Sequence, residues 1–231
     1  MDLADIQKIA EQTIVIRAPT QPLATFGITT VTYHLVTATA LAEDEISSTD
    51  AVIRTGVVTA NRPQIVTPNY LLNLFDGFEH GQEFAQYLLE SYGPNAPGLL
   101  YTYRNELKET NVVSEPPDSV AHRLADQFDR EGQVHTAVIR GNDHYWDISL
   151  MKFIHDLTIG SLRQTIGDLG ERRLLGMDKG VPRAARARID EMFAAVAAGE
   201  MEPIQLKREL DRWGLFTEYE DRFLGMFRRK E

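Results

Sequence analysis

Residues 28–38, ITTVTYHLVTA, alternate Val31, Tyr33 and Leu35 with Thr30, Thr32 and His34. A period of two with β-branched enrichment predicts a half-buried strand. AVIRTGVVTA (51–60) repeats the pattern, and the acidic connection LAEDEISSTD predicts that the two pair antiparallel. TIVIRA (13–18) and LLYTYRNEL (99–107) are further strands, with TNVVSE placed to pair with the latter. VHTAVIR (134–140) is another; GND then predicts a hairpin turn and HYWDI its returning strand.

Helical spacing begins with residues 2–12, where Leu3, Ile6 and Ile9 share a face. Thr67 and Pro68 open a helix at TPNYLLNLFDG: the threonine caps, and proline at the first helical position gives up an N–H that would be free anyway. EFAQYLLESYG continues as helix, and GPNAPG (93–98) is a loop. Residues 118–131 form a helix with Val120, Leu124 and Phe128 inward and Gly132 as its stop. Ser149 caps a helix of about twenty residues, with Leu150, Phe153, Ile154 and Leu157 on one stripe that drifts to Leu162, Ile166 and Leu169. From Pro182 onward every segment is helical. One helix carries Ile189, Met192, Phe193 and Val196 and closes at Gly199. A second carries Leu206, Leu210 and Trp213 and closes at Gly214. A third carries Tyr219, Phe223 and Phe227, with Thr217 and Glu220 at capping-box spacing.

Short-turn strand pairing without regular strand–helix alternation predicts an α+β fold: a mainly antiparallel sheet with packed helices, followed by a small C-terminal all-helical module. The expected division is an α+β domain at 1–172 and a helical module at 181–231. A module of about fifty residues is near the lower limit for standing alone, so it is expected to dock on the main domain or on a second subunit.

Composition narrows the function classes. There are no cysteines among the 231 residues, which removes disulfides, thiolate zinc sites and cysteine nucleophiles. Net charge is −10. Residues 1–170 hold 11 Lys+Arg against 22 Asp+Glu, and 171–231 hold 13 against 12. An acidic body repels phosphate backbones, which argues against nucleic-acid binding. The acidic N-terminus carries no signal-peptide pattern, and no apolar run approaches the ~20 residues a membrane span needs. The expected location is the cytoplasm.

The densest chemistry is VIRGNDHYWDISLMKFIHDL (138–157), with two histidines, three aspartates and one tryptophan. On the expected strand His144, Trp146 and Ile148 share one face, and Tyr145 and Asp147 the other. On the following helix, at about 100° per residue from Leu150, Lys152, Arg163 and Asp156 fall near 200°, 220° and 240°, and His155 near 140°. The ionisable groups scatter, so no catalytic residue is assigned. His34, His80, His122 and His135 show none of the HxH, HxxxH or HExxH spacings, and neither a metal nor an organic cofactor is expected. No phosphate-binding glycine loop or nucleophile elbow occurs. One constellation remains: Arg54, Arg104 and Arg140 sit late in expected strands, near Tyr101, Tyr103 and His34. Converging strand ends would give guanidiniums for a small anionic ligand, a phosphate or carboxylate. The stronger expectation is a non-catalytic protein whose partner is another protein, including itself as a homo-oligomer.

Overall fold

The computed structural model describes residues 3–39, 50–67, 69, 70, 90, 93 and 98–227. The two expected helices between 67 and 92, the loop after them and the acidic connection at 40–49 fall largely outside the described residues. The chain divides into two compact units that are not consecutive in sequence. The first holds 1–62 and 101–168, the second 63–100 and 169–231. The C-terminal helices thus share their unit with 63–100.

The first unit is α+β. After helix α1 (Leu3–Gln12) come strands β1 (Ile14–Arg17), β2 (Thr29–Ala38) and β3 (Ala51–Ala60). Strand β6 (Tyr103–Val113), helix α2 (Pro117–Arg130), strand β7 (Thr136–Arg140) and helix α3 (Trp146–Glu171) follow, the last turn of α3 belonging to the second unit. The five strands form one sheet in the order β1-β7-β2-β3-β6. Pairing is antiparallel except between β2 and β7, which run parallel. Alternation along β2 divides the core in two. Val31, Tyr33 and Leu35 join Val58, Ala137, Ile139, Leu150 and Phe153 under α3. Val36 joins Ala51, Val138, Val120, Ala121 and Ala125 under α2. Gly56 of β3 has no space for a side chain: a Cβ there would lie 2.4 Å from the Tyr33 hydroxyl and 2.7 Å from the Glu106 carbonyl.

Local expectations are corrected at several points. The GND turn at 141–143 does not return a strand; β7 stops at Arg140 and α3 starts at Trp146. Asn142 is why. Its side-chain oxygen accepts the Tyr145 N–H at 3.0 Å, and its own N–H donates to Ser149 Oγ at 3.2 Å. These bonds turn the chain into a helix start. Residues 103–113 form one unbroken strand on β3, having no glycine or proline to turn on, while Gly98–Leu100 (β5) pairs with β4 (Gln64–Val66) in the second unit. The stripe of α3 does not drift to Ile166, which is 49% exposed; Ser161 and Thr165 are buried instead.

In the second unit β8 (Met177–Asp178) and β9 (Val181–Pro182) make a two-residue hairpin. Its turn, Lys179 and Gly180, has φ of 49° and 79°, the left-handed pair such a turn requires. Helices α4 (Arg183–Ala198), α5 (Pro203–Arg212) and α6 (Phe216–Gly225) follow, and Gly199 ends α4 at φ 77°. Thr217 does not cap α6: Leu215 is the capping residue, without a side-chain bond. Burial of Leu215 fixes that boundary, since it packs with Ile189, Phe193, Leu206, Leu210, Trp213 and Phe223. Within this core Glu209 is buried and accepts bonds from Tyr70 Oη at 3.2 Å and Trp213 Nε1 at 3.1 Å. Thr67 Oγ1 accepts the Tyr70 N–H at 3.3 Å, the capping bond expected of that threonine.

Candidate functional site

The strand registers fix where the expected anion-binding residues lie. Arg54 is opposite Leu35 and Arg140 opposite Val36. They flank β2 at the same end of the sheet but project to opposite faces, because adjacent strand positions alternate. Arg104 is opposite Thr59, which pairs with Thr30 at the other end; its side chain is exposed. The three guanidiniums do not share a cavity.

Two of them have carboxylate partners inside the fold. Arg54 Nη1 donates to Asp143 Oδ1 at 2.7 Å and to Thr37 Oγ1 at 3.1 Å, while Thr37 Oγ1 donates to the same carboxylate oxygen at 2.6 Å. The Arg54 guanidinium also lies 5.7 Å from the Trp146 ring centroid. Only 15% of the Arg54 side chain and 18% of the Asp143 side chain is exposed. The cluster ties the loop between β7 and α3 to β2 and β3. Arg140 donates through Nε to Asp118 Oδ1 at 2.8 Å and through Nη1 to the Gly141 carbonyl at 3.1 Å.

The aromatic candidates are engaged as well. The Tyr101 and Tyr103 rings lie nearly parallel, with centroids 6.3 Å apart. Tyr101 Oη donates to Thr165 Oγ1 at 3.1 Å, and Tyr103 Oη bonds Thr158 Oγ1. His34 stacks on Phe128 at 4.7 Å and meets Thr55 Oγ1 at 3.0 Å. Burial pushes its imidazole below the ordinary histidine range, against a smaller opposing effect of Glu109.

A cavity of about 440 Å³ opens at the end of β2 and β7, lined by Gln12, Thr39, Arg140, Asn142, Asp143 and His144 among others. It lies outside the carboxyl ends of the two parallel strands, where open α/β sheets hold ligands. His144 lines this cavity, whereas His155 is exposed further along α3. Among the described residues no group of three His, Cys, Asp or Glu side chains is placed to hold a metal ion. No helix among them is long and apolar enough to cross a membrane.

The feature that periodicity misassigned is the outward side of α3. Met151 is 57% exposed, Ile159 55% and Ile166 49%. With His155 and Leu162 they fall between about 100° and 180° from Leu150 at about 100° per residue. Beyond the apolar Leu150–Leu157 half, the inward side of α3 is held by a polar line. Ser161 Oγ accepts the Leu23 N–H at 3.0 Å, and Thr25 Oγ1 donates to Asp168 Oδ2 at 2.6 Å. The signal was present in Thr158, Ser161, Thr165 and Asp168, which recur at helical spacing, but hydrophobicity alone hides it.

Family models, curated proteins and solved structures give no match to this chain.

Proposed function

We propose that this protein acts in the cytoplasm by binding another protein surface, not by catalysis, and that the outward face of α3 is the contact. The observation that carries this reading is the exposed row of Met151, Ile159 and Ile166 on one side of a 26-residue helix. Leaving a large apolar side chain half exposed forgoes roughly half of the 1.5–3 kcal/mol that full burial would give, about 1 kcal/mol each. Exposed apolar surface gathered on one side of a helix is a feature of interaction sites. The hydrogen bonding of Arg54, Arg140, Tyr101, Tyr103 and His34 favours the same reading, since each has a role inside the fold.

The test is photo-crosslinking in living cells from a photoreactive amino acid at position 159, with position 164 on another side of α3 as control. Protein adducts at 159 and few at 164 are expected; no adduct at 159 overturns the proposal.

The cavity beside Arg140 supports a second reading, a small phosphate or carboxylate ligand at the β7–α3 loop. A thermal-shift screen with phosphates, nucleotides and dicarboxylates addresses it, because a ligand that binds only the folded state raises the melting temperature. A shift that Arg140→Ala abolishes would favour that reading over the first.

A further inference from the structure

We infer that the outward face of α3 packs against the same face of a second copy, the two helices antiparallel and crossing at Ile159. This rests on the reading of that face as a contact surface and names its occupant.

The spacing Met151, His155, Ile159, Leu162, Ile166 is a nearly straight seam along the helix, about 22 Å long at 1.5 Å per residue. A two-fold axis through Ile159 sets Ile159 on its own copy, Met151 against the partner's Ile166 and His155 against the partner's Leu162. Every bulky apolar residue of the seam then meets a residue of the seam.

The charges flanking the seam choose the direction. Lys152, Asp156 and Arg163 lie on one side of it, near 200–240° from Leu150 at about 100° per residue. Thr158 and Thr165 lie on the other, holding the Tyr103 and Tyr101 hydroxyls. In an antiparallel pair like flanks meet, so Asp156 comes beside the partner's Arg163, and by symmetry Arg163 beside the partner's Asp156. Lys152 lies about 4.5 Å further along the axis from the partner's Arg163, at 1.5 Å per residue, and Asp156 is the counter-charge to both. In a parallel pair the charged flank would instead meet the Thr158–Thr165 flank, which is already covered by two tyrosine rings. Within one chain Asp156 pairs with Lys152, and its other oxygen lies 3.3 Å from His155 Nδ1. These groups are partly exposed and free to share the carboxylate.

Among the described residues, the outer edge of β6 is a poorer candidate. It carries Arg104, Glu106, Lys108 and Glu109, and its register slips at Thr55/Gly56. Charges and a bulge are how sheet edges discourage pairing.

One helix pair buries less than a standard interface, so the dimer belongs to the weak, transient class. Sedimentation velocity over a wide concentration series reads it directly. The wild type should show a reversible monomer–dimer equilibrium. Ile159→Asp should abolish it. Asp156→Arg and Arg163→Asp should each weaken it about tenfold, since two symmetry-related pairs turn from attraction to repulsion. The double variant carrying both reversals should return to near wild-type association. All substituted side chains are exposed or partly so, and circular dichroism checks that each variant is folded. A wild type that stays monomeric overturns the inference. So does a dimer that Ile159→Asp leaves intact, or a double reversal that does not recover. A monomer whose position 159 still crosslinks to a different protein overturns this inference and leaves the broader proposal standing.

Discussion

Removing the Asp143 carboxylate tests whether Arg54 is part of the scaffold or a free ligand-binding group. Asp143→Ala deletes the acceptor of two bonds, from Arg54 at 2.7 Å and from Thr37 at 2.6 Å. It strands a guanidinium whose side chain is 15% exposed. An exposed ion pair is worth about 0–1 kcal/mol. A hydrogen bond to a charged group is worth about 1.5–3 kcal/mol, and a fully buried cation left alone costs about 3–5 kcal/mol. The observed burial lies between those limits, so Asp143→Ala should destabilise by about 2–4 kcal/mol. Arg54→Ala loses the same pair and its contact with Trp146, itself about 0.5–1 kcal/mol, and should cost about 2–3 kcal/mol. The double variant should cost less than the sum, by about 1–2 kcal/mol of coupling. Two units in one chain make a single global midpoint unsafe. Urea unfolding should therefore be followed by hydrogen exchange in peptides from β2, β3 and β7. Single variants within about 0.5 kcal/mol of wild type, with additive effects, would refute the structural role and return Arg54 to the pool of ligand-binding candidates.

Gly56→Ala should lower stability by about 1–3 kcal/mol through overpacking against Tyr33 and the Glu106 backbone; unchanged hydrogen-exchange protection in β3 under urea would contradict that geometry. Glu209→Gln should loosen the second unit by about 1–3 kcal/mol, because an amide turns one acceptor into a donor facing Tyr70 and Trp213. Hydrogen exchange in α5 reads this effect, and protection equal to wild type would count against it. His34 has a folded pKa below its unfolded value, so the unfolded chain takes up the proton first. Its stability contribution should be complete above the unfolded value of about 6.5 and fall as pH drops from there through the folded pKa. Stability profiles of wild type and His34→Gln between neutral and mildly acid pH should differ in that limb; identical profiles would remove His34 as its source.

Much of this architecture was legible where a single physical signal dominates. The alternation of Val31, Tyr33 and Leu35 defines β2, and its antiparallel partner β3 follows from the matching pattern nearby. Gly199 ends α4 with the left-handed φ that its type favours. The signals failed where a distant contact decides. GND has the composition of a hairpin turn, yet β7 is paired on one side with β1 and on the other with β2, which leaves no free edge for a returning strand. Ser161 and Thr165 are buried because Leu23 and Tyr101 need hydrogen-bond partners there, a demand that no window of local sequence contains. Each candidate arginine lies on a strand, but only Arg140 lies late in it: Arg54 and Arg104 fall early in β3 and β6, and facing direction depends on register, which emerges only from pairing.

The position of β7 between β1 and β2 has a consequence for the chain during its synthesis. β2 and β3 are close in sequence and can zip together as soon as both leave the ribosome. β1, though made first, has its ladder among the described residues with β7, which waits for residues 136–140 to emerge. At about 5–20 residues per second that is a wait of many seconds. Throughout it Ile14 to Arg17 travel as an unpaired ribbon. A strand made first and paired last is an open edge during synthesis, the kind of surface on which other chains can pair.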